Sequence, residues 1–257
     1  MRATRALTLL LGVVLSLTIS AAAATAREPL PVGPDVDYQL GGAVGRPDHV
    51  GIVARDRTEA PAAGRDNTGY VNGFQTQPNE KRFWLDHHRG LLLKQRGKPV
   101  VDEHWGEFLL DVRTPAKRRK LAAIVGRWID GCARDGFAAV EFDNLDSFTR
   151  SHRLLTRAQA LAFAKLLVRR AHRADLSAGQ KNLAGYDGTR IGFDFAVSES
   201  CAQYDECARY VRHFGSQVVM IEYRDADFEK ACRQYGDTHA IVRRDRALRP
   251  SYEPSYC

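Results

Sequence analysis

Twelve residues, Gly136 to Ser147, hold the densest chemistry in the sequence: Gly-Phe-Ala-Ala-Val-Glu-Phe-Asp-Asn-Leu-Asp-Ser. An apolar run from Phe137 to Phe142 breaks into Asp143, Asn144 and Asp146. This is the pattern of a buried strand whose carboxyl end opens into a polar pocket. Strand side chains alternate, so Ala138, Val140 and Phe142 share one face and Ala139, Glu141 and Asp143 the other. Acids on a buried face need a partner, or water in a cleft. Four further apolar runs end on an ionisable side chain, at Asp56, Asp111, Glu199 and Glu222. Carboxylates gathered at one mouth suit the hydrolysis of a glycosidic bond. One acid protonates the leaving oxygen, and the other attacks the anomeric carbon or activates water. Crowded like charges help to raise the acid's pKa. The plain alternative for residues 143–146 is an Asp/Asn-rich turn after a structural strand.

Other chemistries find less support. Asp143, Asn144 and Asp146 offer hard oxygen ligands, but their spacing is not that of a calcium loop, and no histidine motif accompanies them. Zinc lacks a Cys-x2-Cys or His-x3-His pairing. Serine catalysis lacks a Gly-x-Ser-x-Gly elbow. No metal or cofactor is expected.

The elements that must position these residues read as alternating strands and helices. Strands are expected at 38–42, 50–54, 70–74, 108–110, 137–142, 176–181, 193–197 and 218–221. The clearest helix follows Thr114, which caps it, with Pro115 where a missing amide is harmless. Leu121, Ile124, Val125, Trp128, Ile129 and Cys132 recur along it at helical spacing, and Gly136 closes it. Helices are also expected at 84–95, from Thr156 to Arg173, around 204–214 and near 227–235, in a tail that reads as polar from Arg224. Eight strands, mostly alternating with helices, make a (β/α)8 TIM barrel, an α/β fold whose sites gather at the carboxyl ends of the strands. The rival, a doubly wound open sheet, lacks its Gly-rich turn: Gly41-Gly42 opens no GxGxxG pattern.

The first 26 residues read as a leader. Arg2 and Arg5 precede an apolar run from Ala6 to Leu17, and Ala24-Thr25-Ala26 fits a signal-peptidase site. This predicts a secreted protein with a single barrel domain over 27–257. Losing both arginines lowers the formal charge from +7 to +5. The charges are scattered, and Lys117 to Lys120 read as a solvated helix face, so neither nucleic acid nor a stable membrane contact is expected. A monomer is expected. Five cysteines in an oxidising compartment predict disulfides with one thiol left over. Cys201 and Cys207 can clip a local loop, Cys232 and Cys257 can fix the tail, and Cys132 falls on the helix's apolar stripe.

Taken together, five segments resemble glycoside hydrolase family 114, the endo-α-1,4-polygalactosaminidases. They are Tyr38-Gln-Leu-Gly-Gly42, Gly136-Phe through Glu141-Phe-Asp-Asn-Leu-Asp146, Gln180-Lys-Asn182, Phe193 to Cys201 with Tyr204 to Cys207, and Ile221-Glu-Tyr223. The resemblance implies a barrel that cuts α-1,4-linked galactosamine polymers within the chain, with retention. It implies Asp143 as nucleophile and Glu199 as acid/base, and Asp111, Asn144, Lys181, Glu222 and Tyr223 lining the sugar subsite. A deacetylated galactosamine unit is cationic and suits an acidic mouth. The chain departs from the pattern at its third strand. Where many members carry a Tyr-Phe-Ser-x-Gly-like end followed by Glu and Arg, Tyr70-Val-Asn-Gly-Phe-Gln-Thr-Gln77 stands here. Alternatives stay open: Glu222 as an ion-pair partner of Lys181, Asp56 as a turn residue, and Trp105 as a ring that stacks on sugar. A non-catalytic, secreted glycan-binding barrel is the second functional reading, and a secreted metal-dependent hydrolase a weaker third.

Overall fold

The computed structural model describes residues 29–257, so the expected leader at 1–26 lies outside the described residues. The chain opens with three parallel strands, β1 (Asp35–Gln39), β2 (Val50–Asp56) and β3 (Asp66–Asn72). A long connection then leaves the sheet through α1 (Lys81–His87) and two small hairpins. These pair β4 (Lys94–Gln95) with β5 (Lys98–Pro99), and β6 (Val101–Asp102) with β7 (Glu107–Phe108). After α2 (Pro115–Asp135) the chain returns as β8 (Ala139–Asp143) beside β3. The rest alternates regularly: α3 (Arg157–Arg173), β9 (Ser177–Lys181), β10 (Phe195–Glu199), α4 (Cys207–Phe214), β11 (Val218–Glu222), α5 (Asp225–Tyr235), β12 (Ala240–Arg243). The short β13 (Ser255–Tyr256) runs antiparallel to β12.

The sheet order β1-β2-β3-β8-β9-β10-β11-β12 brings the last parallel strand back against the first. This is the expected (β/α)8 barrel. Across the seam, buried Arg244 pairs with Asp37 and donates to the carbonyl of Tyr38. Two apolar clusters follow from strand alternation. Val36, Tyr38, Ile52, Ala54, Ala139, Phe195, Val197, Val219 and Ile221 fill the lumen, while Val71, Val140, Phe142, Ala178 and Met220 face the helices. The face assignment for residues 138–143 therefore stands.

Three expectations are corrected. Residues 108–110 do not form a barrel strand: Phe108 ends a two-residue hairpin strand, and Leu109 and Leu110 make isolated bridges to Gln75 and Leu92. The eighth barrel strand is Ala240–Arg243, within the stretch read as a polar tail. The helix expected at 84–95 stops at His87, because Leu91, Leu92 and Leu93 bury themselves under the long connection.

The helix signals read correctly. The Thr114 side chain accepts from the amide of Lys117, Gly136 closes α2 at φ 95°, and Thr156 with Gln159 forms a capping box on α3. Cys132 is a buried free thiol, packed where a Cβ on Gly69 would come within 2.9 Å of its sulfur. Disulfides join Cys201 to Cys207 and Cys232 to Cys257.

Candidate active site

Strands β8, β9 and β10 lie side by side and end on Asp143, Lys181 and Glu199. The residue after each, Asn144, Asn182 and Ser200, takes a left-handed backbone with φ of 63°, 54° and 57°. Non-glycine residues rarely accept that conformation, and it turns the chain sharply away from the rim. The ionisable side chain is thereby left at the mouth.

Lys181 is the centre of the constellation. Its buried ammonium lies 3.3 Å from Glu199, 3.9 Å from Glu141 and 4.0 Å from Asp143, and donates to the Tyr38 hydroxyl at 2.7 Å. Because both share that ammonium, the nearest oxygens of Asp143 and Glu199 are no more than about 7 Å apart, within the span of a glycosidase pair. Burial alone would lower the pKa of Lys181, but the three carboxylates outweigh it and hold the side chain charged.

Each carboxylate has its own donors. Asp143 accepts from the Tyr70 hydroxyl at 2.9 Å and from the amide of Asn144 at 2.7 Å. Glu199 accepts from Asn182 Nδ2 at 3.2 Å and from the Tyr223 hydroxyl. Glu141 sits deeper, fully buried, and accepts from Tyr38 at 2.6 Å. Burial, with the charge of Lys181 opposing it, pushes Glu141 up to about 7. Burial also raises Asp143, and the negative charge of Glu199 adds to the effect. Glu199 feels the same burial, yet Lys181, Tyr223 and Asn182 together hold it below the ordinary glutamate range. The two carboxyls are thus pushed in opposite directions, Asp143 up and Glu199 down. Tyr38, Tyr70 and Tyr223 are raised by burial and then by the adjacent carboxylates, so they act as neutral donors.

These groups open into a cavity of about 430 Å³ at the carboxyl ends of the strands. Asp143, Glu199, Asn144, Lys181 and Tyr223 all border it, as does Asp56. Asp111 and Glu222 do not. Both are 0 % exposed and lie elsewhere. Asp111 pairs with Arg113 and Lys117 at the start of α2, because the segment it ends is no barrel strand. Glu222 ends β11 on the helix-facing side, in register with Met220, while Ile221 and Tyr223 point inward. It accepts from the amide of Ala202 at 2.8 Å and makes no pair with Lys181. Cys201, Cys207 and Glu222 are clustered tightly enough to hold a metal, but the two sulfurs are bonded to each other.

The cavity also holds groups that sequence reasoning did not single out: Tyr70, Glu107, Arg150, Asn182 and Arg246. Asn182 follows a recognised strand end, whereas Tyr70 opens the strand expected at 70–74 and lies near the end of the observed β3, so the shifted bounds hid it. Glu107 and Arg246 come from irregular connections that carry no periodic signal. Arg150 donates to Asn144 at 2.9 Å and pairs with Asp102 and Asp146 at 2.6 Å and 3.0 Å. Trp105 stands at the rim, 66 % exposed.

Among solved structures, Ega3 from Aspergillus fumigatus, crystallised with galactosamine, matches with a TM-score of 0.73 at 21% identity, over 93% of this chain and 100% of that one. The glycoside hydrolase domain of PelA from Pseudomonas aeruginosa matches at 0.60 and 16% identity, over 86% of this chain and 97% of that one. At such identities the likeness shows the fold. No curated protein matches the chain by sequence. The model of glycoside-hydrolase family GH114 matches residues 17–257. A barrel with two carboxylates on one buried ammonium at its mouth fits that match, and the chain belongs to glycoside-hydrolase family GH114.

Proposed function

We propose that this glycoside hydrolase is secreted and cuts α-1,4-linked galactosamine-containing polysaccharide within the chain, with retention, using Asp143 and Glu199. One observation carries the reading: the two carboxylates share the Lys181 ammonium inside a single open cavity. The likeness to Ega3, crystallised with galactosamine, supports the sugar class. The two disulfides agree with an oxidising compartment.

Asp143 attacks the anomeric carbon and Glu199 protonates the leaving oxygen, then activates water for the second step. This division of labour needs the substrate to reverse the resting order of proton affinity. A protonated 2-amino group can do so. It sits on the carbon next to the anomeric centre, beside the attacking carboxylate, and favours that carboxylate's charge. The proton then moves to Glu199. Asn144, Lys181 and Tyr223 hold the sugar and the pair.

Reducing-end release from deacetylated galactosamine polymer tests the activity, and Asp143→Asn should reduce it by about 10⁴- to 10⁶-fold. Added azide assigns the roles. Replacing a nucleophile with alanine gives glycosyl azide of inverted configuration, whereas replacing the acid/base gives the retained one. Retained azide from Asp143→Ala would exchange the two roles.

A further inference from the structure

Beyond the catalytic pair, three more carboxylates border the cavity, and two of them have evident partners. Asp146 is paired with Arg150, and Asp56 accepts from Gln77 and Thr58. Glu107 stands apart. It projects from the β6–β7 hairpin, is only 7 % exposed, and among the described residues has no cation within ion-pair distance. Its one hydrogen bond is accepted by Oε2 from Asn72 Nδ2 at 2.9 Å. The charges around it are mostly negative. Asp143 on β8 and Asp102 on β6 repel it, Tyr70 on β3 is neutral, and Arg150 attracts it while committed to Asp102 and Asp146. Burial is the main reason that Glu107 is pushed up to about 7, with Asn72 opposing.

A buried carboxyl on a cavity wall without a cation is costly to ionise unless the ligand supplies the charge. Two residues before it, Trp105 offers an exposed indole at the same cavity, a surface on which a sugar ring can lie. We propose that Glu107 receives the ammonium group of a bound amino sugar and makes the cleft select the free amine over its N-acetylated or hydroxyl counterpart. This rests on the amino-sugar reading above and deepens it. When the ammonium binds, Glu107 gives its proton to solvent and a charge-assisted hydrogen bond forms between the two.

Calorimetric binding of galactosamine, N-acetylgalactosamine and galactose to the full chain tests it. The wild type should prefer galactosamine by about tenfold or more, the value of one charge-assisted hydrogen bond. Glu107→Gln keeps an acceptor for Asn72 but should lose that preference. Titration of galactosamine in buffers of different ionisation enthalpy near neutral pH should show proton release for the wild type and much less for the variant. A variant that still prefers the amine, or a wild type indifferent to it, overturns the inference. A wild type that binds galactosamine through Glu107 yet releases no reducing ends from the polymer defeats the substrate reading alone. Polymer cleavage with the amine preference intact in Glu107→Gln defeats the inference alone.

Discussion

Three carboxylates, Glu141, Asp143 and Glu199, crowd around one ammonium, so Lys181 sets the field in which the pair proposed for catalysis titrates. An ammonium favours the charged form of each acid near it. Removing it should therefore raise the pair's titrations, and activity in Lys181→Met should peak about 1–2 pH units higher than in the wild type. The pH profile of kcat/KM is the measurement; a bell that stays in place would mean Lys181 only fills space. The same variant leaves Glu141 fully buried without its cation, so it should also unfold at a lower temperature.

At the scale of elements, the ends of β8, β9 and β10 share one device: an ionisable residue followed by a left-handed turn. The turn after Glu199 has extra support, since the Cys201–Cys207 bridge closes it and Glu222 on the neighbouring strand holds the Ala202 amide. Glu222 is fully buried, and burial pushes it up to about 7 against the hydrogen bond from Ala202. A buried acid of raised pKa binds its proton more tightly in the folded chain than in the unfolded one. Its stabilising protonation is complete below about 4.5 and is lost as pH rises towards 7. Thermal unfolding at pH 5 and pH 8 should thus show a smaller difference for Glu222→Gln than for the wild type, by up to about 3 kcal/mol.

The same neighbourhood shows how far the sequence could be read. Period-two alternation over 138–143 grouped Glu141 and Asp143 on one face, which the structure turns to the lumen, and the glycine, proline and threonine caps placed α2 and α3. Parity was not carried through for β11. Its last residue, Glu222, falls on the helix side, and Tyr223 is the one that reaches the cavity. Asp111 was misplaced for another reason. Phe108-Leu-Leu110 is apolar because it is buried beneath a long connection, and a short apolar run does not tell a barrel strand from a covered loop.

For the whole molecule, the seam between β1 and β12 is where the barrel depends on one buried charge pair. Replacing Arg244 with methionine removes one of the two cations on Asp37, leaving it paired with Arg46 and hydrogen-bonded to Gln39, and frees the carbonyl of Tyr38. The cost should be about 1.5–3 kcal/mol, or roughly 5 °C in Tm by differential scanning calorimetry, and a loss under about 0.5 kcal/mol would show that the seam closes by packing alone. The last barrel strand escaped the sequence reading because it is four residues long and runs into Arg243-Arg244-Asp245. Such a strand has no pattern of its own; its neighbours β11 and β13 define it.

That seam ties residue 37 to residue 244, and Arg246, Ala247 and Leu248 just beyond it form one wall of the cavity. Contacts so distant along the chain are slow to form and come late. A polypeptide stopped short of Ala240 would have neither a ring nor a groove to hold sugar. Competence should therefore arrive all at once, when residues 240–248 join the ring, rather than growing with the partly built barrel.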